Sequence, residues 1–269
     1  PKGCKFNETS NKKFYTFGDS HIASLQYNLK DRLIKHNYQF ITPSNGCNYF
    51  PGFHVIETKT KKINKNCNEE YYTKLVSKLS NEKNSVFLFG GRFPVYLSNY
   101  LFDNKEGGVE TGGNDLGKWP LEFQPYNDDF ETIEDSFRQS ILKLQKQGNF
   151  IILVYPIPEI GWVVPYKLLE YVKSTDSTKK INFKKIYVSS SYELFVERTK
   201  DTFKLFDSIK GKKIYRVYPH KLFCNTLLAN RCIGHDYQNI FYSDAHHPSL
   251  KGTELINDLI LKEVRKFKN

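Results

Sequence analysis

Two short segments near opposite ends of the chain contain the residue types of an acyl-transfer site. The first is GDSH at residues 18–21, and the second is YSDAHHPSLKG at residues 242–252. A serine hydroxyl is a poor nucleophile unless a nearby base accepts its proton, and the base must itself be held in place. We therefore predict that Ser20 is the nucleophile, that His247 is the general base, and that Asp244 orients the imidazole.

Each segment also has a purely structural interpretation. Ser20 could simply cap a helix, since serine is common at that position, and Asp244 and His247 could belong to a solvated turn. His246 is a second candidate base, although its spacing from Asp244 is less favourable. The presence of both segments in one chain favours the catalytic interpretation.

The elements that must bring these residues together follow an alternating pattern. Apolar runs bounded by turn residues alternate with stretches of helical period, which is typical of an α/β domain with a parallel sheet. Five strands are predicted at residues 14–17, 38–41, 86–89, 150–155 and 214–218. Helices are predicted from Ser20, at residues 69–79, 130–147 and 191–209, and from about Pro248.

This pattern places Ser20 where a site is expected. Open parallel sheets bind ligands at the carboxyl ends of their strands, and Ser20 follows the first predicted strand. Its backbone N–H and the helix dipole would face an anion formed beside it. Residues 98–129 interrupt the pattern, are rich in glycine, and are predicted to form a long loop or insertion, a feature that often has a function.

Composition argues against several classes of protein. The formal net charge is +11, but the lysines are spread along the chain, whereas nucleic-acid binders concentrate basic residues on one face. We therefore expect no nucleic-acid partner. No apolar run is long enough to span a bilayer. The 269 residues contain no methionine, so we expect that an upstream segment has been removed, that residues 1–13 are a linker from it, and that residues 14–269 form one catalytic domain.

The cysteines indicate disulfides instead of a metal site. None of the five has a zinc-type Cys or His spacing, and we expect no metal. Cys47 and Cys67 bracket one polar loop and Cys224 and Cys232 another, which suits two disulfides in an exported protein. Free buried thiols in a cytosolic protein are the alternative, and four cysteines permit three pairings, so the connectivity stays open. Cys4 is left over.

The two terminal segments together carry a family resemblance. GDSH at 18–21 with DAHH at 244–247 resembles the SGNH hydrolase superfamily, related to the GDSL esterases, whose first block carries the nucleophilic serine and whose last block is Asp-x-x-His. The resemblance implies a flavodoxin-like three-layer α/β sandwich, the SGNH hydrolase fold, with a five-stranded parallel sheet. That count agrees with the predicted strands, and residues 98–129 would be a long inserted loop.

A closer resemblance is to the periplasmic SGNH domain fused behind the multi-pass membrane domain of acyltransferase-3 proteins, which O-acetylate bacterial surface polysaccharides. The features that carry it are His at position 21, Cys47 after the second strand, GGRF at 90–93, YPIPEIGW at 155–162, and a cysteine pair shortly before the last block. It covers nearly the whole chain from about Phe14.

This resemblance implies a function, partners and a location. Ser20 would accept an acyl group, presumed to be acetyl, and pass it to a carbohydrate acceptor. No cofactor is expected in this domain, since the acyl donor would come from an upstream multi-pass membrane domain or a donor molecule. The domain would be periplasmic or otherwise extracytoplasmic, tethered to the inner membrane in the full-length protein.

The oxyanion hole is where the chain departs from the superfamily. There, a glycine after the second strand and an asparagine in a Gly-x-Asn-Asp block after the third strand complete the hole. GGND occurs here at 112–115, well beyond the third strand, whose end carries GGR at 90–92 instead. We predict backbone donors at Ser20, near Gly46, and in the Gly91–Arg92 region, with Asn114 as the alternative. Arg92 could instead be an ion-pair residue.

Two further alternatives stay open. Trp162 could form a wall against which a sugar ring lies, or it could belong to the core. The same Ser, His and Asp would serve a carbohydrate O-acetyl esterase that uses water as the acceptor, because transfer and hydrolysis differ only in how well water is excluded. A non-catalytic glycan-binding domain is the third hypothesis.

Overall fold

The computed structural model describes residues 3–43, 46–110, 117–174 and 186–267. A six-stranded sheet lies at its centre, in the order β1-β3-β2-β5-β7-β9. Its strands are β1 (Cys4–Phe6), β2 (Lys12–Phe17), β3 (Tyr38–Thr42), β5 (Val86–Phe89), β7 (Phe150–Val154) and β9 (Ile214–Val217). The last five are parallel, and their spatial order is the flavodoxin-like one. These are the five predicted strands.

The first strand corrects one expectation about the N-terminal residues. Cys4–Phe6 pair antiparallel with β3, with Cys4 opposite Thr42 and Phe6 opposite Phe40. Residues 4–6 are therefore part of the sheet and not of a linker, because their backbone groups complete the ladder at its edge.

Helices cover both faces of the sheet. They are α1 (Ser20–Lys35), α2 (Glu69–Leu79), α3 (Phe93–Ser98), α4 (Ile133–Lys146), α5 (Val164–Ser174), α6 (Tyr192–Ser208), α7 (His220–Phe223) and α8 (Leu250–Val264). Successive strand residues point to opposite faces. Phe14 accordingly packs in one apolar cluster with α1 and α8, while Tyr15 packs in the other with α2 and α4. This is the expected three-layer sandwich.

The predicted insertion at 98–129 contains regular structure. Strand β6 (Leu121–Pro125) pairs antiparallel with β4 (Phe53–Glu57) in a separate two-stranded sheet. Asp103 and Val109 form an isolated bridge that closes a turn. A second small sheet joins β8 (Ser189–Ser191) to β10 (Arg231–Ile233). The insertion is thus folded back onto the domain over its described residues.

Two disulfides close loops beside the sheet. Cys47 is bonded to Cys67 and Cys224 to Cys232, with Cα atoms 5.7 and 3.9 Å apart respectively. Cys4 is a free, exposed thiol. Among the helices of the described residues, none is both long and apolar enough to cross a membrane.

Candidate active site

The turn between β2 and α1 presents Ser20 to solvent. Gly18 makes this turn possible, because a Cβ atom at this position would lie 2.4 Å from the carbonyl oxygen of Gly90. Asp19 caps the helix, and its Oδ1 accepts a hydrogen bond from the N–H of His21 at 2.9 Å. Ser20 is the first residue of α1 and is exposed. Its N–H has no intrahelical acceptor and is therefore available at the positive end of the helix dipole.

The fold brings the three predicted catalytic residues together. Ser20 Oγ lies 2.8 Å from His247 Nε2, and His247 Nδ1 lies 2.6 Å from Asp244 Oδ2. Because a carboxylate only accepts hydrogen bonds, Nδ1 carries the proton and Nε2 presents its lone pair to the serine hydroxyl. The arrangement can therefore remove the proton from Ser20.

Hydrogen bonds keep Asp244 ionised. Burial acts to raise the pKa of Asp244, but hydrogen bonds from the His247 ring and from the backbone N–H groups of His246 and His247 outweigh it, and the pKa lies below its ordinary value. The two backbone bonds measure 2.9 and 2.7 Å. A fixed negative charge behind the imidazole stabilises the imidazolium that forms when the base takes a proton.

The loop that carries this pair is anchored from the neighbouring strand end. The N–H groups of Ile160 and Gly161 donate to the carbonyl oxygen of Ala245 at 2.9 and 3.1 Å. The N–H of Val164 donates to the carbonyl oxygen of Asp244 at 3.3 Å. The YPIPEIGW segment after β7 therefore holds the backbone between the two catalytic candidates. This role was not predicted from the sequence.

Asp19 connects the end of β2 to the residues that follow β5. Its Oδ2 accepts hydrogen bonds from the N–H of Arg92 at 2.6 Å and from the hydroxyl of Tyr96 at 2.5 Å. Gly91 has φ +141°, and a Cβ atom there would lie 2.8 Å from Asp19 Oδ2. Glycine is required at this position for both reasons. Asp19 is buried, so this contact fixes the start of α1 against the end of β5.

The expectation that Arg92 supplies an oxyanion donor is wrong. Its backbone N–H is bonded to Asp19, and its guanidinium is buried between Glu159 and Glu110. Nε donates to Glu159 at 2.7 Å and Nη1 to Glu110 at 2.7 Å. Its N–H groups are thus already committed, and the alternative interpretation, an ion-pair residue, is correct. Glu159 also pairs with Arg198 at 3.0 Å.

The remaining candidates for the oxyanion hole are Gly46, Gly91 and Asn114. Gly46 lies in an exposed turn after β3 with φ +68°. Gly91 lies beside Asp19, as described. Asn114 lies outside the described residues. Sequence reasoning missed Asn48, a buried side chain whose Oδ1 would lie 3.1 Å from a Cβ atom on Gly91. Its position directly after Cys47, in the loop that follows the second strand, was the available signal.

Two histidines without an assigned role adjoin the catalytic candidates. His21 Nε2 lies 3.0 Å from His246 Nδ1, and His246 Nε2 lies 3.3 Å from Glu110 Oε1. Burial, followed by the charges of His246 and Arg92, holds the pKa of His21 well below its ordinary value. His21 is therefore neutral. His246 does not contact Ser20 in any described hydrogen bond, which agrees with its lower rank as a candidate base.

Trp162 lies on the folded insertion. Cβ atoms at Gly107 and Gly108 would lie 3.2 and 2.9 Å from its ring, and the Lys167 ammonium lies 4.3 Å from a ring centroid. The indole is partly buried against the core. These contacts favour a packing role, and contact with a sugar remains a prediction.

Comparisons with known proteins agree with this architecture. The sequence model of the family described as "SGNH domain (fused to AT3 domains)" matches residues 1–262. No curated protein matches the chain. The periplasmic domain of the Salmonella ser. Paratyphi A lipopolysaccharide acetyltransferase has a similar structure, with a TM-score of 0.55, 15% sequence identity, and coverage of 96% of this chain and 85% of that chain.

Two Bacteroides proteins are more distant. A putative acylhydrolase from Bacteroides fragilis gives a TM-score of 0.43 at 9% identity, over 95% of this chain and 87% of its own. A GDSL-like lipase from Bacteroides thetaiotaomicron gives 0.42 at 13% identity, over 95% and 88%. At such identities, the likeness to the Salmonella domain concerns the fold alone. The family match spans nearly the whole sequence and confirms the resemblance seen in its motifs: the chain belongs to the SGNH domains fused to acyltransferase-3 domains.

Proposed function

We propose that the chain transfers an O-acyl group, which we take to be acetyl, to a bacterial surface polysaccharide through an acyl-enzyme on Ser20. The observation that carries this proposal is the continuous hydrogen-bonded series from Ser20 Oγ to His247 at 2.8 Å and from His247 to Asp244 at 2.6 Å. A nucleophile, a base and an orienting carboxylate in this geometry are the requirements for serine acyl transfer.

In the first half-reaction, Ser20 Oγ attacks the carbonyl carbon of the acyl donor while its proton passes to His247 Nε2. The tetrahedral intermediate then collapses, the bond to the leaving group breaks, and His247 returns the proton to that group. In the second half-reaction, a sugar hydroxyl gives its proton to His247 and attacks the ester carbonyl. Ser20 leaves with the proton from His247, and Asp244 stabilises each imidazolium.

The oxyanion in both steps needs hydrogen-bond donors aimed at it. The Ser20 N–H at the start of α1 is the first, because it is free of an intrahelical bond and adds the helix dipole. We propose backbone N–H groups at Gly46 and Gly91 as partners. The buried Asn48 side chain beside Gly91 is a further candidate.

The family and the cysteines support the partner and the location that we propose. SGNH domains of this family are fused to acyltransferase-3 domains, so the acyl donor in our proposal reaches Ser20 from such a membrane domain and no cofactor is held here. Disulfides persist in oxidising compartments, and the two present support a periplasmic or extracytoplasmic location at the inner membrane.

Hydrolysis is the second candidate, favoured by the openness of the site. Ser20 is exposed, and the His247 and Asp244 side chains retain 27% and 41% of their accessible surface. Water therefore reaches the acyl-enzyme as easily as a sugar does unless a bound glycan excludes it. A carbohydrate O-acetyl esterase would use the same three residues.

Product analysis tests the proposal. The domain is supplied with p-nitrophenyl acetate and with bacterial surface oligosaccharides, and mass spectrometry measures acetylated sugar while an acetate assay measures hydrolysis. Transfer predicts acetylated sugar that rises with acceptor concentration at the expense of acetate. Acetate alone at every acceptor concentration would favour the esterase, and no release of p-nitrophenol above the buffer rate would contradict both.

A further inference from the structure

Three imidazole rings converge beside the nucleophile. One ring nitrogen from each of His21, His246 and His247 lies within 4.8 Å of the other two. His21 Nε2 and His246 Nδ1 are 3.0 Å apart, and His247 Nε2 faces Ser20 Oγ at 2.8 Å. The proposed acyl transfer uses only His247, so two of the rings have no role in it.

The outer nitrogens of two rings are already oriented by carboxylates. Asp244 holds His247 Nδ1 at 2.6 Å, and Glu110 lies 3.3 Å from His246 Nε2. Histidines that bind metals usually donate their second ring N–H to a carboxylate in this way, which fixes the ring and leaves the inner nitrogen with its lone pair. The third ring, His21, is 1% exposed, and its Nδ1 has no hydrogen-bond partner among the described residues.

The charges around the rings suit a cation. Four carboxylates and two guanidiniums belong to this region, namely Asp19, Glu110, Glu159, Asp244, Arg92 and Arg198. Arg92 Nη1 lies 3.4 Å from His246 Nε2 and is the nearest opposing charge, but Glu110 and Glu159 both pair with it. The carboxylates outnumber the guanidiniums, so a divalent ion would enter a region of net negative charge.

We infer that His21, His246 and His247 bind a divalent transition metal such as Zn²⁺, and that this binding blocks Ser20 chemistry. Nitrogen ligands about 2.0–2.1 Å from a tetrahedral zinc lie about 3.3 Å from one another, which the present separations reach with small movements of the rings. The proton that His21 Nε2 and His246 Nδ1 share in the metal-free chain moves to His21 Nδ1, which has no partner among the described residues, so both inner nitrogens can bind the metal. Ser20 Oγ or water completes the coordination. The lone pair of His247 Nε2 then belongs to the metal and no longer accepts the serine proton.

This inference replaces the expectation of no metal, which came from spacing within short segments. The ligands come from opposite ends of the chain, at position 21 and at positions 246 and 247, so no local motif could reveal them. It goes beyond the proposed function, because the metal is an inhibitor that competes with catalysis and takes no part in it.

Calorimetric titration of the metal-free domain with ZnCl2 at pH 7.5 is the direct test. The titration is made in the Cys4→Ser background, because the exposed Cys4 thiol would itself take zinc. We expect one zinc per chain. His246→Gln and His21→Gln should each weaken binding by at least about tenfold, whereas the matched control His36→Gln, which changes an exposed histidine at the end of α1, should not.

The consequence for Ser20 is measured in parallel. Zinc should slow labelling of Ser20 by a fluorophosphonate probe, and a chelator should restore the original rate. Binding that is absent, or that both ligand substitutions leave unchanged, overturns the metal site. Bound zinc that leaves labelling unchanged or accelerates it overturns the inhibitory role. If His21→Gln unfolds, as circular dichroism would show, His246→Gln in the turn before α8, where the side chain is 12% exposed, decides alone.

The test of the metal site is independent of whether the proposed function is correct. Calorimetry reads zinc binding whether or not the domain turns over an ester. A chain without esterase activity that still binds one zinc through these histidines would contradict the acyl-transfer proposal alone, and an active chain that binds none would contradict the metal site alone.

Discussion

The edge of the sheet contains two neighbouring groups of polar residues with opposite characters. The proposed triad is open, with the His247 and Asp244 side chains 27% and 41% exposed. The adjoining ionic cluster of Arg92, Glu110, Glu159 and Arg198 is closed, with Arg92 and Glu159 side chains each 4% exposed. The difference indicates a division of roles: the triad is free to react, whereas the cluster holds the strand ends and loops in position.

The largest expected effect is on turnover at the open group. Ser20→Ala should lower ester turnover by at least about 10⁴-fold while changing the free energy of unfolding by less than about 0.5 kcal/mol, since the side chain is exposed. Turnover of p-nitrophenyl acetate and urea denaturation check the two halves. Equal loss of stability and activity would show that Ser20 is structural.

The closed group should respond in the opposite way. Arg92→Met leaves Glu159 buried beside a single remaining cation, Arg198, and removal of one partner from a buried pair typically costs about 3–5 kcal/mol of stability. The matched control is Arg138→Met, which removes a half-exposed pair with Asp135 and should cost less than about 1 kcal/mol. Chemical denaturation of both variants measures this, and equal losses would contradict the distinction.

Acid should weaken the closed group within a defined range of pH. Burial acts to raise the pKa of Glu159, but the charges of Arg92 and Arg198 outweigh it and lower the pKa to about 2. Because this folded-state pKa lies below the ordinary 4.5, the stabilisation is complete above about pH 5 and is lost as the pH falls toward 2.

Denaturation midpoints measured at several pH values check this dependence. We expect the denaturation midpoint to change less with pH in Glu159→Gln than in the unmodified chain. A wild-type stability that does not change from pH 5 to pH 3 would contradict it.

The smallest expected effect is the loss of stability when the hydrogen bond between Tyr96 and Asp19 is removed. Tyr96→Phe removes the hydrogen bond to the buried Asp19 carboxylate, which keeps the Arg92 N–H, and the bond that Asn48 donates to the same hydroxyl. A bond to a charged group contributes about 1.5–3 kcal/mol. Thermal unfolding should show a loss in this range, compared with less than about 0.5 kcal/mol for the exposed control Tyr27→Phe. An unchanged unfolding midpoint would show that the hydrogen bond from Tyr96 to Asp19 does not stabilise the fold.

Prediction from sequence succeeded where a pattern was long or a motif was local. The five parallel strands were predicted because their apolar runs end at clear turn residues, as in 86–89. The helices α3, α5 and α7 and the small sheet β4–β6 were missed. Shortness explains α3, α7 and the two strands, since six, four and five residues carry too little period, but not α5, which has eleven. Glycine-rich neighbours hid the alternation of Leu121 and Phe123 with polar residues.

The residues of the candidate site also fall into those that a local motif reveals and those that only the fold reveals. Ser20, Asp244 and His247 were identifiable from two local motifs. The role of Arg92 was not, because only the fold shows that its backbone N–H meets Asp19 and its guanidinium meets Glu110 and Glu159. Contacts between residues distant in sequence depend on packing that no single segment encodes.

The most direct test of the account is the identity of the acyl-enzyme. The domain is mixed with p-nitrophenyl acetate, quenched in acid, digested and analysed by tandem mass spectrometry. Our account predicts one acetyl group, on Ser20, that builds up within the first turnover and is absent from the Asp244→Asn and His247→Gln variants on that timescale. Acetyl found on another residue, with Ser20 unmodified while turnover proceeds, would contradict it.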